Sequence, residues 1–499
     1  MLKKSFSALA ALTLMLLAVS MVGAQTELEP VELEYYYIGW PVTDLQVVED
    51  AVNAITVPEI NATIHLNLID WSSFTDRMRV MISSGEQCDL MLLDRGNWNN
   101  YSTAVANGAL APLDDLLPEY APHLWEDIPQ ATWDASRIDG QIYGVPGRGN
   151  PVLAYGAWVR QDLMEKYDFD WTQAQSYQDL EPLYDAIVAG EPDVTPILST
   201  DGGPHGTLWF PEAWGFDRLS SPQGVLGVRV QGEGDPEVVA TAFTPEYQQA
   251  VELTHDWYER GYFTTDPLPD GDMQTDRAAG RYSTMLWNRL PGYEDLVSVN
   301  EWGGRPIVML QLAPGIVTTG TVTGSFNGVC ATSPNPERAL MFLDMLNENA
   351  ELYNTLVWGV EGTHWTWDEA GEYVVYPEGR TADEVNAAYR GPEWVFGNQT
   401  LKYPVSAAEA ARIDAWAEME STAILSPALG FTPDFTPVAT ELAQVSSVYE
   451  QYGEPLQKGL VDPAEALPEY QARLEEAGIN TIVEEVQRQF EEWQASQTS

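Results

Sequence analysis

Between residues 31 and 93 the hydrophobic period of the chain switches repeatedly, and that alternation constrains the fold more than any other feature of the sequence. Val31, Leu33, Tyr35 and Tyr37 recur at every second position, which reads as a strand. Leu45, Val48, Val52 and Ile55 recur at spacings of three and four, which predicts a helix that Thr43 can cap. Ile64, Leu66 and Leu68 return to period two, and Phe74, Met78, Met81 and Ile82 form a second helical stripe that Gly85 stops. Leu90 to Leu93 is wholly apolar, as expected of a strand covered on both faces. Strand, helix, strand, helix, strand in so short a span is an open α/β lobe. In such sheets ligands sit beyond the carboxyl ends of the strands. Those ends deliver Gly39-Trp40, Asp70-Trp71 and the run from Asp94 to Trp98. Three tryptophans at three strand ends exceed what core packing requires.

The first residues bear on the compartment. Lys3 and Lys4, the apolar run from Ala8 to Val22, and small Val22-Gly23-Ala24 before Gln25 describe a secretory signal peptide over 1–24. An uncleaved membrane anchor is the competing reading, because the run approaches the roughly 18–20 residues that span a bilayer. No cysteine follows the run, so lipid anchoring has no support. The 75 acidic residues against 24 basic ones leave a formal charge of −51. Such a surface repels phosphate backbones and anionic lipid, so nucleic acid is a poor partner. Cys88 and Cys330 sit in apolar, strand-like stretches and read as buried thiols rather than a bridge. The five histidines show neither HExxH spacing nor a CxxC companion. Asp266, Asp270, Asp272 and Asp276 lack the alternation of a calcium loop and read as a solvated acidic loop. No metal or other cofactor is expected.

Farther along, Tyr143-Gly144-Val145-Pro146 reads as the exit from the first lobe, followed by a hinge-like composition at Gly147, Gly149 and Pro151. Trp158-Val159-Arg160 reads as a strand, Asp162 onward as a helix, and 178–190, 244–261 and 274–280 as helical. Residues 305–333 read as strands. Asn335-Pro336-Glu337 opens a helix with cap, N1 proline and first-turn acid, and the helix continues through Leu340, Phe342, Leu343 and Leu346. Ile482, Val486, Phe490 and Trp493 make one face of a terminal amphipathic helix that should dock on the body.

Several segments, in order along the chain, carry a resemblance. They include Asn61-Ala62-Thr63, the stretch from Ile69-Asp70-Trp71 to Ser84-Gly85-Glu86, Leu110 to Leu117, Gly140 to Pro146, and Arg160 to Leu163. Asn335 to Ala339, Trp358-Gly359-Val360-Glu361-Gly362, Phe396-Gly397-Asn398-Gln399 and the region from Phe431 to Trp493 complete the set. Together they resemble the family 1 extracellular solute-binding proteins of bacterial ABC importers, in the subgroup with a C-terminal domain of unassigned function. Many relatives are lipoproteins, and this chain has no lipid-accepting Cys just after the apolar run, so its tethering stays open. The resemblance implies an α/β, two-lobed periplasmic-binding-protein-like (type II) fold with an interlobe cleft and chain crossings near 146, 300–310 and 350. It divides the chain into a first lobe of 25–146 plus 305–348 and a second of 147–304 plus 349–499, the latter ending in a helical region over 427–497. It further implies hinge closure on a ligand, delivery to membrane permease subunits, and action as a monomer.

The expected ligand is a saccharide. Sugars present an apolar C–H face to flat aromatics and a rim of hydroxyls to carboxylates, amides and arginine, and the chain holds 18 Trp and 23 Tyr. The candidate residues are Trp40, Trp71, Trp98 and Asn99 from the first lobe, with Arg148, Trp214, Trp287, Trp358 and Glu361 from the second. Each has a structural alternative. Trp71 and Trp358 can close the core at helix ends, Glu361 can cap, Arg148 can pair between lobes, and Phe396-Gly397-Asn398-Gln399 can be a turn. Amino acids, peptides and polyols remain possible ligands. A glycoside-active enzyme is the runner-up class, but among 75 acids a carboxylate pair carries no weight, and no nucleophile elbow, P-loop or zinc motif is present. The chain is therefore read as a receptor, not an enzyme. A secreted sugar-binding sensor fits the sequence as well as a transport receptor does.

Overall fold

The computed structural model describes residues 28–94, 99–138, 140–200, 203–204, 211–219, 221–232, 235–264 and 273–497. The signal segment, Trp98, His205, Asp266, Asp270 and Asp272 lie outside the described residues. The opening alternation forms as read: β1 (Val31–Gly39), α1 (Leu45–Ile60), β2 (Ala62–Asp70), α2 (Phe74–Ser84) and β3 (Leu90–Leu93). β1 runs parallel to β2, with Gly39 opposite Asp70, and parallel to β3, with Tyr35 opposite Leu90. Its period-two pattern suggests one open face, yet Tyr36 and Ile38 are buried along with Tyr35 and Tyr37. β1 is an inner strand and is covered on both sides. Gly85 ends α2 at φ 65°, a left-handed conformation that glycine adopts without penalty. Thr43 does not cap α1. Its hydroxyl donates to Asp44 Oδ1 at 2.8 Å, and the Asp44 N–H is taken by the Ala388 carbonyl at 2.9 Å.

Besides smaller sheets, among them a three-stranded one of Phe216–Asp217, Leu226–Arg229 and Val238–Ala240, the remaining strands of the two main sheets are β4 (Gly144–Pro146), β5 (Leu153–Arg160), β6 (Thr195–Ile197), β7 (Tyr282–Asn288), β8 (Ile307–Val317), β9 (Phe326–Val329) and β10 (Ile424–Leu425). They complete two five-stranded sheets, ordered β2-β1-β3-β9-β4 and β10-β8-β5-β7-β6. Each sheet centres one lobe. The chain first crosses between β4 and β5, at the expected Gly147 region. The sequence division departs from the structure after that. Residues 305–348 were assigned to the first lobe, yet β8 pairs with β5 from Ile307 opposite Arg160 to Ile316 opposite Leu153, so the return crossing falls between β8 and β9. Residues 349–499 were assigned to the second lobe. However, α3 (Pro336–Glu348) and α4 (Ala350–Trp358) both bury their apolar faces in the first core, through Leu340, Phe342, Leu352 and Leu356. Tyr389, Val395 and Phe396 join them, and the chain leaves this core only after Leu401. The apolar stripes of these helices could not reveal which core would take them.

Cys88 and Cys330 form a disulfide, with Cα atoms 5.8 Å apart, in place of the expected free thiols. Cys88 lies just before β3 and Cys330 just after the antiparallel β9, and this pairing brings them together across 242 residues. In the second lobe, Asp276 is not a solvated loop residue. It is buried in the helix Met273–Ala278 and pairs with Arg281 at 2.7 Å. The terminal helix Ile479–Gln497 docks as expected, with Ile482, Val486 and Phe490 fully buried against Val228, Val251 and Val445. Among the described residues no helix is long and apolar enough to cross a membrane.

Candidate functional site

The parallel register of β1 and β2 sets Trp40 and Trp71 side by side at one sheet edge. Their ring centroids are 5.6 Å apart, and Trp394 extends the cluster at 6.1 Å from Trp71. Trp358, at the end of α4, lines the same groove as Trp40 and Trp394, and its Nε1–H donates to the Tyr403 carbonyl at 3.2 Å. The second lobe closes the groove with Leu296 and Asn300 of the helix Glu294–Glu301. The enclosed space is about 130 Å³.

Charged side chains are fixed around these rings. Arg390 lies over Trp40, 4.3 Å from the ring centroid. Lys402, although buried, pairs with Glu393 and with Glu409, the latter at 2.7 Å, and its ammonium stands 4.9 Å from the Trp358 ring. The pairing compensates charges that burial would otherwise penalise. Across the groove, Tyr376 OH donates to Asn300 Oδ1 at 2.6 Å, and Arg390 stands 3.7 Å from Glu301.

The turn after Trp358 is held from behind. Gly359 has φ 82°, and a Cβ there would sit 2.6 Å from His364 Nδ1, so only glycine fits. The Val360 N–H donates to His364 Nδ1 at 2.9 Å, which places the ring proton on Nε2, 3.4 Å from Asp44 Oδ2. Burial holds the imidazole pKa below its ordinary value, against the pull of Asp44.

Of the residues singled out from sequence, Trp40 and Trp358 line the groove, and Trp71 packs beside Trp40 without lining it. Among the described residues, the other candidates do not line this groove. Asn99 is buried, and its side-chain amide donates to the Leu92 carbonyl at 2.8 Å. Arg148 pairs with Asp127 at 3.2 Å, and Glu361 is exposed on its turn. Trp287 packs on the core around Trp158, Tyr282 and Trp302. Trp214 stands 6.2 Å from Tyr177 and lines a separate cavity. Sequence reading missed Trp394, Arg390, Glu393 and Lys402. The run Arg390-Gly-Pro-Glu-Trp394, an aromatic and two charges around a Gly-Pro, was the available signal.

Residues 49–277 match the family model described as bacterial extracellular solute-binding protein. Over these residues the chain resembles that family. Residues 427–495 match a second model, a domain of unknown function (DUF3502). A carbohydrate ABC transporter substrate-binding protein of Streptococcus pneumoniae is 26% identical over 92% of this chain and 90% of its own. Among solved structures, an N-glycan transport solute-binding protein (NgtS) of the same species superposes with TM-score 0.79 at 25% identity, covering 93% of this chain and 99% of that one. An alginate-binding protein, AlgQ2, shares the fold at TM-score 0.63 and 14% identity, over 93% and 98% of the two chains. The tryptophan groove lies between the two lobes.

Proposed function

We propose that this solute-binding protein is the exported receptor of an ABC importer and that it takes a saccharide between its lobes for delivery to the permease. The observation that carries the reading is the groove itself. Trp40, Trp358 and Trp394 offer flat faces, and Arg390, Glu393 and Asn300 offer the bonds that hydroxyls need, supplied from both lobes. Aromatic faces with a few fixed polar groups suit a pyranose better than an amino acid or peptide. The carbohydrate and N-glycan functions named for the two pneumococcal relatives agree with it.

The groove, at about 130 Å³, is smaller than the roughly 300–1,000 Å³ of ordinary ligand sites. A saccharide therefore enters by the lobes parting about the crossing segments and stabilises their closure by touching both. The test is a thermal-shift screen of the purified protein against mono-, di- and oligosaccharides, polyols, amino acids and peptides. A ligand present at about 100 times its Kd adds close to 3 kcal/mol. A shift with one saccharide class and no product formed is the expected result. Shifts confined to peptides or amino acids reject the saccharide, and turnover of a sugar rejects the receptor.

A further inference from the structure

The second lobe holds a cavity of about 380 Å³ that shares no lining residue with the tryptophan groove. Trp214 and Tyr177 form one wall, their rings inclined at 38°. Arg229 enters from the three-stranded sheet, its guanidinium 4.7 Å from the Phe216 ring centroid, and pairs with Glu246 Oε1. Glu246 sits in the first turn of the helix Pro245–Glu259. Its second oxygen, Oε2, is buried without a hydrogen-bond partner among the described residues. A buried carboxylate oxygen without a donor is costly, so the Arg229–Glu246 pair is not fully satisfied within the protein.

We propose that this cavity is a second saccharide site, which takes one pyranose ring with its C–H face on Trp214 and a hydroxyl bonded to the Arg229–Glu246 pair. Its size lies within the roughly 300–1,000 Å³ range of small-ligand sites. An aromatic platform beside a carboxylate–guanidinium pair is the chemistry that recognises a ring of hydroxyls. The ligand class rests on the saccharide reading of the groove; the existence of the cavity does not. A void of about 30 Å³ adjoins it, also lined by Trp214 and Glu246.

The experiment is fluorine NMR of the purified protein labelled with fluorotryptophan. The Trp214 and Trp40 lines are assigned by their loss in Trp214→Phe and Trp40→Phe. Methyl pyranosides of glucose, mannose and galactose are the probes. The expected result is a saturable shift of the Trp214 line with at least one of them, retained in a Trp40→Ala/Trp358→Ala variant. Glu246→Gln, checked for an unchanged melting temperature, weakens that response about tenfold or more. A Trp40 line that moves while the Trp214 line stays put overturns the second site and leaves the groove standing. A Trp214 shift that vanishes in the groove variant is an echo of the groove and also overturns it. Equal affinity in Glu246→Gln means that the carboxylate takes no part in binding, and the proposal falls. If neither line moves with any pyranoside or oligosaccharide, both readings fall.

Discussion

Arg390 covers one face of Trp40 at 4.3 Å and reaches to within 3.7 Å of Glu301 in the opposite lobe. One side chain thus joins the aromatic wall of the groove to the element that closes it. The contact with Glu301 crosses between lobes, as do those of Tyr376 and Asn386 with Asn300. Such partly exposed ties contribute about 0–1 kcal/mol each, enough to shift a population but not to lock it. The variant Arg390→Ala/Tyr376→Phe therefore shows a larger mean radius of gyration without ligand in solution scattering. A radius equal to that of the wild type removes these two residues from any part in closure.

Trp40→Ala and Trp394→Ala each weaken saccharide binding by about 1–2 kcal/mol, roughly five- to thirtyfold in Kd. Glu361→Ala, an exposed position outside the groove, leaves affinity unchanged. Isothermal titration of the three variants separates these outcomes. The groove is misassigned if Glu361 matters and the tryptophans do not.

The Cys88–Cys330 bridge closes a loop of 242 residues between neighbouring strands of the first sheet. Tethers across long loops restrict the unfolded chain most, so Cys88→Ser/Cys330→Ser loses about 2–5 kcal/mol. Denaturant titration of the oxidised wild type against the double variant measures the loss. A difference under about 1 kcal/mol shows that native contacts between β3 and β9 suffice without it.

The first lobe was legible because its signal is local. Each change of period between Val31 and Leu93 marks one element, and parallel strands place Trp40 and Trp71 at one edge. What was not legible depends on pairings between distant residues. Nothing near Ile307 announces that β8 pairs with β5, and nothing near Cys88 announces a partner at Cys330. Trp394 is adjacent to Trp71 only because Tyr389, Val395 and Phe396 are buried in the first core. Trp214 satisfied the same local criterion as Trp40, an aromatic in a loop, and the fold sends it to another cavity.

His364 makes the groove sensitive to acid. It is buried, with its Nδ1 occupied by the Val360 N–H, and it is surrounded by Asp44, Arg380 and the Tyr389 ring, whose centroid is 5.8 Å away. Burial is the dominant influence and lowers its pKa, while Asp44 opposes and Arg380 assists. A folded-state pKa below the unfolded value means that the unfolded chain binds the proton first. The stability is therefore complete above the ordinary imidazole value of about 6.5 and declines as pH falls through the folded pKa. Protonation of Nδ1 also expels the Val360 N–H, releasing the turn that positions Trp358. Wild-type stability and saccharide affinity thus both fall more steeply between about pH 7.5 and pH 5 than those of His364→Asn, whose side chain does not titrate. Denaturant melts and titrations at the two pH values check this, and parallel pH dependences in the two proteins would exclude His364 as the group responsible.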